Sequence, residues 1–468
     1  MAETVTKTTA ELRALLTKGQ TAEQKALAKA GRLCARDRMG LIFDEGTFVE
    51  IGAYIGRKRT ELDKETDDSF EPVITGYGAV NGTLVYAFSQ DFSRLHGALG
   101  EMHAKKIVNI IAMAAKANAP IIGVFDSAGA KILEGVDALA GYGSIMCALE
   151  DADVPKIAVV AGICGGSTAV MAEMFDVVIG AKKTGKLYAA LSGKTEDAIS
   201  VDPSLIDIVC EDDKAATFKA RDLIKYFAGA VEIADDINRV LDIEGILAND
   251  KYDIHDIIAQ TFDAGSFTEL CGENAKSMVT GLATIGGNPV VVIANNPSYK
   301  DGFLCTGAAK KAIFALETAY TAELPVVTLV DGNGIGDSKS FEEKGFARIL
   351  ARLASTYAQR NASYMNLPTV TVTLGASYGT AYTVMGSKAL TGGIALALDR
   401  ARISAMSPDS AVAFLDEVKN ESKHKETAKA WSDRFASPLE AAKSGHIDDI
   451  IDSAELRQRI GAALAMLL

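Results

Sequence analysis

The chain has 468 residues, 48% hydrophobic and 23% charged, with a formal net charge of −13 at pH 7. This length exceeds one ordinary core and sets two domains as the expectation, while the acidity argues against nucleic acid as a main partner and leaves room for a phosphorylated ligand held by local basic residues. No apolar run reaches the roughly 18 residues of a membrane span and residues 1–20 lack a signal-peptide core, so a cytoplasmic protein is expected; six scattered cysteines without a Cys-x-x-Cys pair argue against a zinc ribbon or disulfide framework.

In chain order, residues 4–30 are rich in Ala, Leu, Lys, Glu and Gln and read as an exposed helix. Residues 35–50 follow, a helical stretch running into Phe43-Asp44-x-Gly46-Thr47-Phe48-Val49-Glu50. Residues 254–269 repeat it, with Phe262-Asp263-x-Gly265-Ser266-Phe267-Thr268-Glu269. Residues 76–88 read as a hairpin with an Asn/Gly turn and are echoed by 281–293. The strand 121–125 and its turn Asp126-Ser127-Ala128-Gly129-Ala130 are answered by 326–335, Asp126 facing Asp331. A strand after Pro155 leads through Gly162, Gly165 and Gly166 into a helix at 169–174. Its echo starts at Pro368 and runs through Gly375 and Gly379 into Thr380-Ala381. Four landmarks in one order make a duplicated domain the best account. The charged stretch 234–253 is the joint, giving domains 1–245 and 246–468. Short Val/Ile strands alternating with helices imply layered α/β packing in each half.

A strand that stops at glycines and turns straight into a helix aims bare N–H groups at whatever lies ahead, and those groups favour negative charge. Two equivalent turns therefore point to a site that holds two oxyanions. Alone, the 126–130 turn reads as a helix N-cap by Asp126 or Ser127; beside Gly165-Gly166-Ser167 it becomes one wall of a pocket of main-chain donors. Two other motifs compete. Ser192-Gly-Lys-Thr195 lacks the glycine a phosphate-binding loop needs, because position 188 is Tyr. Gly165-Gly-Ser167-Thr-Ala169 is one residue from a nucleophile elbow, but none of His96, His103, His255, His424 and His446 sits in a partner motif. Arg94, Lys105 and Lys106 are phosphate-binding candidates against the simpler reading of a solvated helix face, and so are Lys310 and Lys311.

Three stretches are more specific: Ser89-Gln-Asp-Phe92 with Gly97-x-x-Gly100-Glu-Met-His-x-Lys-Lys-Ile107, then Glu134-Gly-Val-Asp-x-Leu-Ala-Gly-Tyr-Gly143, and Ala381-Tyr-x-Val-Met-Gly-Ser-Lys388. With these the chain resembles, from residue 31 to 451, the carboxyltransferase (β) subunit of biotin-dependent acyl-CoA carboxylases and its relatives in sodium-pumping acyl-CoA decarboxylases. The resemblance implies an α/β fold of duplicated crotonase-like (ClpP/crotonase) ββα domains. It implies transfer of a carboxyl group between carrier-bound biotin and the α-carbon of a short acyl-CoA, with no metal and no side-chain nucleophile. Charge develops on the thioester oxygen and on the ureido oxygen. Gly166 and Ser167, with Gly129, Ala130, Gly97 and Gly165, would serve the first; Thr380 and Ala381, with Gly379, the second. The resemblance places acyl-CoA on the first domain of one subunit and biotin against the second domain of another, in a hexamer built as a trimer of dimers. Its partners are a biotin carboxyl carrier protein, since no Ala-Met-Lys-Met motif is present here, and a biotin carboxylase or membrane decarboxylase subunit. The chain departs from the family pattern at Ala128, Lys131, Ser167, Thr380, Thr383 and 332–336, and across 183–213. Two rival readings stay open: a serine hydrolase using Ser167, and a non-catalytic scaffold of the same fold.

Overall fold

The hairpin expected at 76–88 forms between Val73–Val80 and Thr83–Gln90, paired in register along its whole length. Its two turn residues, Asn81 and Gly82, both have positive φ (49° and 81°), the backbone a type I′ turn requires. Met278–Ile285 and Asn288–Asn295 repeat the hairpin around Gly286 and Gly287. The repeated Asp of the Phe-Asp-x-Gly motif explains itself here. Asp44 accepts hydrogen bonds from the Asn81 and Gly82 amides, and Asp263 from those of Gly286 and Gly287. An arginine closes each arrangement, Arg221 on Asp44 at 2.5 Å and Arg457 on Asp263 at 2.6 Å. Both carboxyls are held below the usual carboxylate range, Asp44 by Arg221 and then the turn amides, and Asp263, against burial that raises it, by the turn amides and Arg457.

The computed structural model describes residues 8–17, 21–56, 58, 70–190, 200–201, 206–229, 235–249, 251–336, 342, 345–361, 367–414 and 421–468. The Ser192-Gly-Lys-Thr195 motif lies outside them. The chain divides into two compact units, Met1–Phe227 and Ala228–Leu468. Residues ahead of the expected joint at 245 belong with the second unit. Arg457 donates to the Asp236 carbonyl at 3.0 Å, and Arg239 to the Gln260 and Phe262 carbonyls at 2.9 Å.

In the first unit a seven-stranded sheet runs Val49–Glu50, Val73–Val80, Thr83–Gln90, Ile121–Phe125, Lys156–Val160, Val177–Ala181, Ile208–Cys210. Pairing is antiparallel through the hairpin and parallel from Thr83–Gln90 onward. Its core is built on Phe88, Phe125 and Phe175, packed edge to face. Gly123 makes room for them, since a Cβ there would sit 2.6 Å from the Phe88 ring. The second unit repeats the order with Thr268–Leu270, Met278–Ile285, Asn288–Asn295, Val326–Gly332, Thr369–Tyr378, Ile394–Leu398 and Asp449–Ile451, over a core that includes Ile257, Val292, Leu329, Val372 and Ile460.

One difference separates the halves. In the first, Lys156–Val160 ends and a separate strand, Ile163–Gly165, pairs with Lys186–Tyr188. In the second, Thr369–Tyr378 runs on as one strand whose last three residues pair with Arg402–Ser404. Gly375, expected in the turn, therefore lies inside that strand. The first helix starts earlier than expected, at Ser167–Ala172, and the second is Gly379–Val384.

Candidate active site: paired main-chain turns

Ile121–Phe125 and Lys156–Val160 are parallel neighbours in register, Phe125 opposite Val160, so the turns that follow them leave the sheet side by side at its carboxyl end. That end is where open α/β sheets bind ligands. The two turns are tied together by the Ser127 amide donating to the Ile163 carbonyl at 2.8 Å. From the other side, the Leu99 amide donates to the Gly129 carbonyl at 2.9 Å and the Lys131 amide to the Leu99 carbonyl at 2.8 Å. Gly129 and Gly166 have positive φ (108° and 59°), and a Cβ on either would meet nothing within 4 Å.

Within these turns most amides are already engaged. The Gly129 N–H donates to Ser127 Oγ at 3.1 Å, and the Gly166 N–H to the Tyr188 carbonyl at 2.9 Å. Among the described residues, the Ala130 and Ser167 amides have no acceptor. Of the expected site residues, then, Ala130 and Ser167 offer donors, whereas Gly129 and Gly166 set the backbone that aims them. Gly165 is covered by the Tyr188 ring, 2.3 Å from where its Cβ would be. Gly97 is buried beneath the turn, where a Cβ would fall 2.4 Å from the Asp126 carbonyl oxygen. Asp126 and Ser127 cap no helix. The next helical turn, Ile132–Glu134, has Lys131 at its cap with no side-chain bond, and Ser127 Oγ instead donates to the Gly97 carbonyl at 2.7 Å.

The second unit builds the same pair from 331–335 and 379–381. Gly334 (φ 107°) stands where Gly129 does. The Leu304 amide donates to its carbonyl at 3.0 Å, and the Gly336 amide to the Leu304 carbonyl at 3.1 Å. Gly379 (φ 55°) opens the helix that carries Thr380 and Ala381. Among the described residues the Ile335, Thr380 and Ala381 amides have no acceptor. Gly334 and Ile335 were missed from the sequence. The alignment of Asp126 with Asp331, carried three and four residues further, finds them.

The surrounding motifs support the turns. Glu134 is buried and accepts from the Glu101 amide at 2.6 Å and from Lys131 Nζ at 2.7 Å, so its carboxylate ties the turn to the helix Glu101–Ala117. Gly100 leaves it space, since a Cβ there would lie 2.5 Å from the carboxylate. Tyr142 and Thr168 share a buried hydrogen bond of 2.7 Å. The basic candidates divide. Lys105 is exposed and pairs with Glu101, as a solvated face requires. Lys106 is buried and donates to the Val73 carbonyl at 2.5 Å, and burial pushes its pKa down to about 8. Arg94 turns inward to the Leu16 carbonyl. Lys311 is likewise buried, 3.5 Å from Glu269, while Lys310 lines a surface cleft with Asn274 and Phe314.

No histidine serves Ser167 among the described residues. His103 is buried and neutral, its pKa pushed down by burial to about 3. His96 stacks on Phe92. His255 lies between Asp253 (2.6 Å) and Glu269 (3.0 Å) in the second unit, which raises its pKa to about 9. No group of three or more His, Cys, Asp or Glu fit to hold a metal ion occurs among the described residues.

The carboxyl transferase domain family matches residues 27–195 and 197–468. The methylmalonyl-CoA decarboxylase subunit alpha of Propionigenium modestum is 32% identical, across 94% of this chain and 90% of its own length. The propionyl-CoA carboxylase beta chain of Cereibacter sphaeroides is 31% identical, across 95% and 92%. Among solved structures, transcarboxylase 12S, a hexamer described with methylmalonyl-coenzyme A and methylmalonic acid bound, superposes with a TM-score of 0.90 at 28% identity. That match covers 98% of this chain and 94% of the other. The duplicated α/β architecture is thus the crotonase-like fold of the carboxyltransferases.

Proposed function

The chain belongs to the carboxyl transferase family, and from that we propose a carboxyltransferase subunit that moves a carboxyl group between carrier-borne biotin and the α-carbon of a short acyl-CoA. The observation that carries this reading is that each unit has, among the described residues, a pair of unengaged amides on neighbouring turns, Ala130 with Ser167 and Ile335 with Thr380. In this reading the first pair receives the thioester oxygen as it gains enolate charge, and the second receives the ureido oxygen of biotin. Biotin supplies the carboxyl group on its ureido nitrogen and takes up the α-proton in exchange. The chain therefore needs no nucleophile and no base of its own. Each donor aimed at developing charge contributes on the order of 3 kcal/mol to the transition state. Ser167 and Thr380 keep the backbone N–H that glycine would offer and add side-chain atoms that narrow the mouth of the site.

Beside the first pair the surface is apolar: Ile132 is 89% exposed, Val136 74% and Leu139 55%. A second copy of the chain covering this face fits a shared site and an assembly like the 12S hexamer. The separate partners in this reading are a biotin carboxyl carrier protein and either a biotin carboxylase or a membrane decarboxylase subunit. Among the described residues no helix is long and apolar enough to cross a membrane; a cytoplasmic location belongs to the same proposal. The test is turnover of acetyl-, propionyl-, methylmalonyl- and glutaconyl-CoA with biocytin as carboxyl acceptor or, once carboxylated, donor. Transfer with one of them supports the reading, and absence of transfer with all four refutes it.

A further inference from the structure

Each unit places one aspartate where its donor turns meet. Asp331 lies in Val326–Gly332, the strand that leads into the Gly334–Ile335 turn. Its Oδ1 accepts the Ala376 amide at 2.7 Å, in the neighbouring strand and four residues ahead of Thr380. Its Oδ2 accepts the Tyr252 hydroxyl at 2.8 Å. Its carbonyl oxygen forms the floor on which Gly302 packs, since a Cβ on Gly302 would lie 2.3 Å away, and that segment continues into Leu304, which pairs with the 334–336 turn. Gly375 leaves room for the carboxylate, because a Cβ there would sit 2.3 Å from Oδ2. One residue therefore touches the strand under the first donor, the strand under the second, and the segment beneath both.

Asp126 repeats the arrangement. Its Oδ1 accepts the Ile163 amide at 3.3 Å, four residues ahead of Ser167. A Cβ on Gly162 would lie 2.0 Å from that oxygen, and one on Gly97 would lie 2.4 Å from the Asp126 carbonyl. The groups that meet the carboxylate differ. Asp126 is paired with Arg32 and, at 2.8 Å, with Arg38, which also holds the buried Asp213. In the corresponding place Asp331 has a tyrosine hydroxyl. The duplication has kept the amide bond and the two flanking glycines. What the two copies share is position.

We propose that Asp331, and Asp126 in the first unit, are positioning residues that hold the two donor amides of each pair in register. This rests on the carboxyltransferase reading for its consequence in catalysis, but not for its consequence in structure. Neither aspartate touches a reacting atom; each acts through the backbone it ties. Such a residue matters because a donor displaced by about 1 Å loses about 100-fold in rate.

The full-length protein is compared with Asp331→Ala, Asp331→Asn and Tyr252→Phe. Asn can keep the bonds to Ala376 and Tyr252: its carbonyl oxygen accepts from Ala376, and its amide donates to the tyrosine oxygen. The first readout is amide hydrogen exchange by mass spectrometry. Asp331→Ala should speed exchange across 375–381 by about tenfold, the loss of one bond to a charged acceptor, while 162–168 in the other unit stays at the wild-type rate. Asp331→Asn should stay within about threefold of wild type and Tyr252→Phe should fall between the two. The second readout is transfer to biocytin. Asp331→Ala should lose about 100-fold in kcat with its Kd for the acyl-CoA unchanged, and Asn should restore most of the rate. Unchanged exchange in Asp331→Ala overturns the proposal, as does an Asn variant as fast-exchanging or as slow in turnover as Ala. A wild-type protein that transfers nothing would refute the carboxyltransferase reading alone, because the exchange comparison still decides whether Asp331 positions the turns.

Discussion

Gly166→Val tests the donor geometry most sharply, because its cost comes from the backbone. A Cβ at Gly166 would meet nothing within 4 Å, so no clash opposes the new side chain. The dihedrals do: φ 59° and ψ −130° lie in a region essentially confined to glycine, and a β-branched residue there costs about 1–3 kcal/mol. The chain can bear that strain and lose stability, or relieve it by rotating the peptide between Gly166 and Ser167. Rotation swings away the unengaged Ser167 N–H, and loss of one such donor costs about 100- to 1,000-fold in rate. The assay is biocytin-dependent transfer on the purified variant, with thermal unfolding and oligomer size measured in parallel. The expected outcome is a kcat loss of at least about 100-fold, a fall in melting temperature of about 2–4 °C for each kcal/mol of strain retained, and an unchanged assembly. A variant with wild-type turnover and an unchanged melting temperature, its strain relieved at no cost in rate, would refute the assignment of Ser167 as a donor.

Three further outcomes follow from other parts of the chain. Thr380→Gly removes an exposed side chain at the second pair and keeps its N–H, so folding should hold and the range of accepted acyl-CoA substrates should stay the same or widen; loss of the folded state would mean that Thr380 is structural. Lys106 has a folded pKa of about 8 against an ordinary 10.5, so between those values the unfolded chain binds more protons and stability rises with pH. Urea unfolding of Lys106→Met should lack that rise, and equal pH slopes in both proteins would contradict the burial argument. His255 is raised from 6.5 to about 9 by Glu269 and Asp253, so its contribution is full below pH 6.5 and disappears as pH passes 9. His255→Gln should be less stable than wild type at pH 6 and indistinguishable at pH 10 by the same titration.

The duplication was legible because each repeated motif has a side chain with a local task. Asp44 and Asp263 each cap a hairpin turn, and the Phe, Gly and hydroxyl residues around them follow from that geometry. The donors were legible only in part. Ala130 and Ile335 share a backbone role, set by pairing with Leu99 and Leu304, and their side chains, a methyl and a branched butyl group, carry no sign of it. Likewise the engagement of the Gly166 amide by Tyr188 depends on two three-residue strands too short to announce themselves. Lys106 was partly readable: it lies four residues before Ile110 on the buried face of its helix, but two adjacent lysines looked like a solvated stretch. Asp126 read as a helix cap, and Asp331 only as its counterpart, because the bonds they make, to Ile163 and Ala376, join strands distant in sequence.

The central claim is that amides from the two units meet oxygens on two different reactants. A structure of the assembled protein with methylmalonyl-CoA and biocytin tests it directly. The account predicts the thioester oxygen within hydrogen-bonding distance, about 2.7–3.2 Å, of the Ala130 and Ser167 nitrogens, and the ureido oxygen equally close to those of Ile335 and Thr380. Both oxygens on one pair, or either pair turned onto the protein's own carbonyls with no reactant before it, would contradict it.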